Sequence, residues 1–167
     1  MRSLALLLLL AACASTPPEL RGAQFYFDQG TRDLERRRYL DAIENFQRVV
    51  GNYPGYARVA EAQYQLAEAY YRLGEYVNAV FEYERLVDTY PSSKWRVEAQ
   101  YKMAESYYEQ SRRAELDQSE TYQALAAYRH FIEDNRGSPL VADAQARVTE
   151  LRARLGKKDY LAGRLYQ

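Results

Sequence analysis

Apolar and small positions recur at helical spacing along most of the chain. In EAQYQLAEAYY, from Glu61 to Tyr71, residues Gln63, Leu66, Ala67 and Tyr70 share one face of a helix, and Glu61, Tyr64, Glu68 and Tyr71 share the opposite one. The pattern predicts an amphipathic helix whose two faces have different tasks. It returns thirty-seven residues later as EAQYKMAESYY, from Glu98 to Tyr108. At the same interval Tyr53-Pro54 recurs as Tyr90-Pro91, Tyr39 as Tyr76, Ala42 as Ala79, Phe46 as Tyr83, and Gly30 as Ala67 and then Ala104. A fixed period of this length signals a helical repeat array. Each unit reads as a first helix with a small residue at a helix crossing, a turn near Gly74-Glu75-Tyr76, and a second helix with an alanine and an aromatic four apart. A proline closes the unit. The third unit breaks the period: its first helix is expected from about Val97 to Ala114, and ALAAYRHFIEDN follows AVFEYERLVDTY by forty-five residues. The extra residues lie around Arg113 to Thr121 and lengthen the connection between helices.

Composition agrees with helices. Val, Ile and Thr are sparse, and Ala, Leu, Glu, Arg and Tyr dominate the 167 residues. Lys plus Arg number 23 and Asp plus Glu 23, which leaves no net charge for a polyanion and makes nucleic acid an unexpected partner. Tyrosine, with 17 copies, can fill a core or present a hydroxyl at a wet surface. At the N-terminus Arg2, the apolar run Leu4 to Leu10, and Ala11-Ala12 before Cys13 have the order of a secretory signal. The run is too short to span a bilayer and is expected to be cleaved. No catalytic set emerges. Cys13 is the single cysteine, His130 is the single histidine with no ligand or triad spacing around it, and glycine-rich phosphate loops are absent. A non-enzyme without cofactor or metal is therefore expected. Arg36-Arg37-Arg38 reads as a solvated helix end, and Trp95 as a staple fixing the entry of the next helix.

Three resemblances sharpen this picture. Leu10-Ala11-Ala12-Cys13 resembles the bacterial lipoprotein signal, which implies lipidation and N-acylation of Cys13. Ala14, in place of an aspartate, then implies the outer membrane. Gly30, Ala42, Phe46 and Pro54 resemble the small, small, aromatic and proline slots of the tetratricopeptide repeat, although the period is longer than that family's usual one. Finally, Asp117 to Ser119, Ala124 to Tyr128 and the Leu151 to Leu155 helix resemble the third-unit region of the BamD family, lipoprotein subunits of the machinery that assembles β-barrels in bacterial outer membranes. Together they imply an all-α, tetratricopeptide-like superhelix, an α-solenoid of three repeats plus the start of another. The expected divisions are a signal peptide over 1–12, a lipidated cysteine and tether over 13–20, three helix pairs and a following helix over 21–156, and the first helix of a truncated further repeat over 157–167. Members of that family continue for roughly two further units, whereas this sequence stops at Gln167 with Leu161, Leu165 and Tyr166 awaiting a second helix.

First helices line the concave wall of such arrays. Tyr64, Glu68 and Tyr71, followed by Tyr101, Glu105 and Tyr108, are accordingly expected to form a ladder of phenols and carboxylates that holds an extended peptide, with Tyr70 and Tyr107 in the core. The alternative use of the ladder is packing between units. The resemblance implies as partners a BamA-type barrel subunit, other assembly lipoproteins, unfolded outer-membrane proteins, and the membrane through the lipid. Its BamA surface lies chiefly in the C-terminal units. Two rival readings are another envelope repeat adaptor, coordinating constriction with cell-wall synthesis, and the repeat part of a larger envelope enzyme.

Overall fold

Helix formation here follows the amphipathic pattern, with turns fixed by a few residues. The computed structural model describes residues 22–113 and 118–165. Its helices are α1 (Ala23–Glu35), α2 (Tyr39–Asn52), α3 (Val59–Leu73), α4 (Tyr76–Thr89), α5 (Arg96–Arg113), α6 (Ser119–Asp134) and α7 (Val141–Leu165). Packing is sequential: each helix lies against the next, and α1 also touches α3. The pairs α1–α2, α3–α4 and α5–α6 are three tetratricopeptide-like units.

The same turn chemistry joins the units. The Tyr56 amide donates to the Tyr53 carbonyl at 2.9 Å, that of Ser93 to Tyr90 at 2.9 Å, and that of Ser138 to Asn135 at 2.8 Å. Within a unit, Gly74 ends α3 in the left-handed region (φ 84°), where a side chain is strained. Arg37 occupies the equivalent position after α1 with φ 59°. The arginine run there is more than a solvated cap, because Arg38 pairs with the buried carboxylate of Asp33, which also accepts from Asn45 at 3.1 Å.

Close helix crossings explain the small residues. A Cβ on Gly30 would stand 3.0 Å from the Phe46 ring, and the equivalent Ala67 and Ala104 are fully buried. Three apolar clusters result, each spanning consecutive helices: Phe27, Phe46 and Leu66 lie in the first, Ala79, Tyr83 and Leu86 in the second, and Tyr128, Phe131 and Leu151 in the third.

Two boundaries differ from expectation. The lengthened connection is partly helix, since α6 begins at Ser119; residues 114–117 lie outside the described residues. No new helix begins at 157, because α7 runs unbroken from Val141 to Leu165. Val141 is the equivalent of Arg96, so α7 is itself the first helix of a fourth unit. A lone glycine such as Gly156 costs a helix only about 1 kcal/mol, which neighbouring turns absorb. The signal segment, Cys13 and the tether also lie outside the described residues.

Candidate functional site

The repeated face of α3 and α5 is mostly packed. Tyr64 is 5% exposed, Glu68 6%, Tyr101 9% and Tyr108 6%, whereas Tyr71 and Glu105 are half-buried. Tyr70 and Tyr107, expected in the core, are half-buried as well, and the Tyr70 hydroxyl accepts from Gln47 Nε2 at 2.9 Å. The expectation of an open ladder is thus corrected for Tyr64, Glu68, Tyr101 and Tyr108. The physical reason is that a first helix inside the array is surrounded by its own second helix, the preceding second helix and the next first helix. A two-faced wheel drawn for one helix leaves out the third neighbour.

Each phenol has a definite task. Trp95 stacks on Tyr64 at 4.6 Å, and Arg58, its equivalent one unit earlier, lies 3.9 Å from the centre of the Phe27 ring. At the starts of α3 and α5, the entering residue therefore covers the aromatic residue of the previous first helix. Burial, with Glu68 and Glu98 nearby, pushes the Tyr64 hydroxyl pKa well up. Glu68 accepts from the Tyr83 hydroxyl at 2.5 Å, and Arg72 approaches it at 3.4 Å. In the third unit the equivalent carboxylate, Glu105, is held by Lys102 at 2.8 Å, and the fully buried Tyr128 hydroxyl has no protein partner.

The surface that remains is a doubled motif. Lys102 of α5 stands 4.9 Å from the centre of the Tyr71 ring of α3, and Arg147 of α7 stands 4.5 Å from that of Tyr108 of α5. Glu105 answers Lys102, and Glu150 answers Arg147 at 3.0 Å. Glu150 also accepts from the Tyr108 hydroxyl at 2.5 Å and from Arg154 at 3.1 Å. Burial raises the Glu150 pKa, but the Tyr108 hydroxyl and Arg147 outweigh it and hold the carboxyl below its usual range. Beside these groups a cleft of about 370 Å³ is lined by Tyr101, Asp143, Ala146, Arg147 and Glu150. Phenol, cation and carboxylate thus recur on successive first helices, a mixed-charge surface suited to hydrogen-bonding and neutral backbone.

Sequence reasoning missed Lys102, Arg147 and Glu150. The signal was present: Lys102 and Glu105 recur forty-five residues on as Arg147 and Glu150, the interval already found for the second helices. His130 lies at the surface, with Nδ1 3.2 Å from Asp134. Among the described residues no group of three His, Cys, Asp or Glu could hold a metal ion, and no helix is long and apolar enough to cross a membrane.

Sequential helix pairs with recurring turns and crossings define a tetratricopeptide-like α-solenoid. A thermophilic tetratricopeptide-repeat protein of Thermus thermophilus is similar in structure, with a TM-score of 0.58 and 24% identity over 83% of this chain and 69% of that one. The chain belongs to the YfiO family of outer membrane lipoproteins, the BamD family, whose model matches residues 19–167. No match is found among curated proteins. Membership assigns the chain to the outer membrane and implies a role in outer-membrane protein assembly.

Proposed function

We propose that the chain is a scaffold, anchored through lipid on Cys13, that holds unfolded outer-membrane protein segments and partner subunits of the assembly machinery against its first helices. It acts by recognition and not by bond chemistry. The doubled motif carries this reading: Tyr71, Lys102 and Glu105, then Tyr108, Arg147 and Glu150, stand on successive helices beside an open cleft. Of the six residues expected to touch peptide, the half-buried Tyr71 and Glu105 are assigned to the contact surface, with Tyr101 at the edge of the cleft. Tyr64, Glu68 and Tyr108 are buried and support it from behind. An extended strand would lay backbone groups on the phenols and polar side chains, while fixed charges of both signs disfavour strongly acidic or basic ligands.

The test is a titration of a synthetic peptide, the final strand of an outer-membrane β-barrel protein, against wild type and Lys102→Ala/Arg147→Ala. We expect affinity to fall about tenfold, equivalent to roughly 1.4 kcal/mol. The melting temperature should move only a few degrees, since an exposed cation–π contact contributes about 0.5–1 kcal/mol. Unchanged affinity would remove the first-helix surface as the peptide site.

A further inference from the structure

A second cleft lies away from the doubled motif, between α4 and α6, with α5 as its floor. Its volume is about 510 Å³; Met103 and Tyr107 form the floor, Val87 and Ala126-Ala127 the apolar walls, and Glu84, Asp88 and His130 the rim. Phe81, one turn before Glu84 on α4, is 61% exposed, and Tyr122, one turn before Ala126 on α6, is 54% exposed. Apolar surface therefore continues beyond the cleft towards the end where the paired helices join.

Repeat symmetry shows what is unusual here. The same position one unit earlier, between α2 and α4, has Phe81 and Glu82 where the cleft has Ala126 and Ala127. There Glu82 is buried and accepts from Gln63 Nε2 at 2.6 Å, and Gln47 reaches the Tyr70 hydroxyl at 2.9 Å, so side chains of both walls are tied to α3 beneath them. At the cleft, two methyl groups replace a ring and a carboxylate. Gln100, the equivalent of Gln63, turns instead towards Asp134 at 3.4 Å and Asn135 at 2.9 Å. Charge changes as well: Gln47 and Gly51 become Glu84 and Asp88, and Arg85 becomes His130.

We infer that this cleft is a docking groove for an amphipathic helix of a partner protein, with apolar residues one turn apart facing Met103 and Tyr107 and a basic flank facing Glu84 and Asp88. The two alanines admit a helix closely, as small residues do at helix crossings, and the acidic rim selects its charge. The inference is independent of the peptide reading, because none of the doubled-motif residues lines the groove.

The test uses the full chain and a fluorescein-labelled eighteen-residue helical peptide with leucines at i and i+4 and lysines along one flank. A twin peptide carries glutamates in place of the lysines. Fluorescence anisotropy should show the lysine peptide binding at least tenfold more tightly than its twin. Ala126→Phe/Ala127→Glu, which restores the residues of the preceding unit, should abolish that binding at unchanged circular dichroism; Glu84→Lys/Asp88→Lys should reverse the charge preference. No binding of the lysine peptide, binding that survives Ala126→Phe/Ala127→Glu, or equal binding of the twins would each overturn the inference. Sedimentation equilibrium supplies the remaining arm: dimers that Ala126→Phe/Ala127→Glu dissolves would make a second copy the occupant and overturn it too.

Discussion

At the scale of single residues, equivalent positions make each unit a control for the others. Tyr83 donates to the buried Glu68 carboxylate, while Tyr128 has the same burial and no such bond. Hydrogen bonds to charged groups contribute about 1.5–3 kcal/mol. Tyr83→Phe is therefore expected to cost that much, and Tyr128→Phe clearly less; equal losses in urea melts would contradict the assignment. Arg37 offers a second comparison, since it adopts the left-handed conformation that Gly74 adopts one unit later. Arg37→Gly relieves about 1–2 kcal/mol of steric cost and forfeits about 0.4–1 kcal/mol of chain entropy, so a net gain near 0.5 kcal/mol is expected in the same melts. The left-handed turn was legible at Gly74 but not at Arg37, because arginine carries no turn signal of its own. The fate of the tyrosines was legible only in part. Their period was plain, but the third neighbour that buries Tyr64, Tyr101 and Tyr108 is a property of stacked units and cannot be seen in one helix.

At the scale of elements, the first helices are held by contacts that cross from unit to unit. Tyr64, between Trp95 and the Tyr83 ring 5.9 Å away, is the clearest of these. Truncating a buried aromatic residue costs about 3–5 kcal/mol, so Tyr64→Ala should unfold the array far more readily than Tyr107→Ala, reversing the order that a single helical wheel suggests. Thermal melts of the two variants decide it. Electrostatics act at the start of α3, where Arg58 donates twice to Glu61 at 2.9 Å and holds its carboxyl below the usual range. A depressed folded-state pKa gives stability that is complete above the unfolded-state pKa and disappears as pH falls through the folded-state value. Stability-against-pH curves for wild type and Glu61→Gln should thus converge in acid and separate above it. Helix existence, the turn at Gly74 and the small residues at crossings were legible, because each follows from local chemistry. The unbroken α7 was not, since Gly156-Lys157-Lys158 resembles a helix end that neighbouring turns override.

At the scale of the whole molecule, the proposed function rests membrane attachment on one residue, Cys13. Among the described residues no helix can cross a bilayer, and Cys13→Ser is expected to move the protein from sedimented membranes to the soluble fraction once partners are removed by salt wash. Retention on the membrane would count against lipidation as the anchor. The array itself has a different consequence. Since each helix rests on its neighbours in sequence and the apolar clusters are shared by adjacent helices, no unit waits for a distant part of the chain. A polypeptide delivered N-terminus first can close its first cluster as soon as α3 has emerged, then the second with α5, and so on in the order of delivery. Folding can then follow export like a zip, with only the newest helix exposing an uncovered face at any moment.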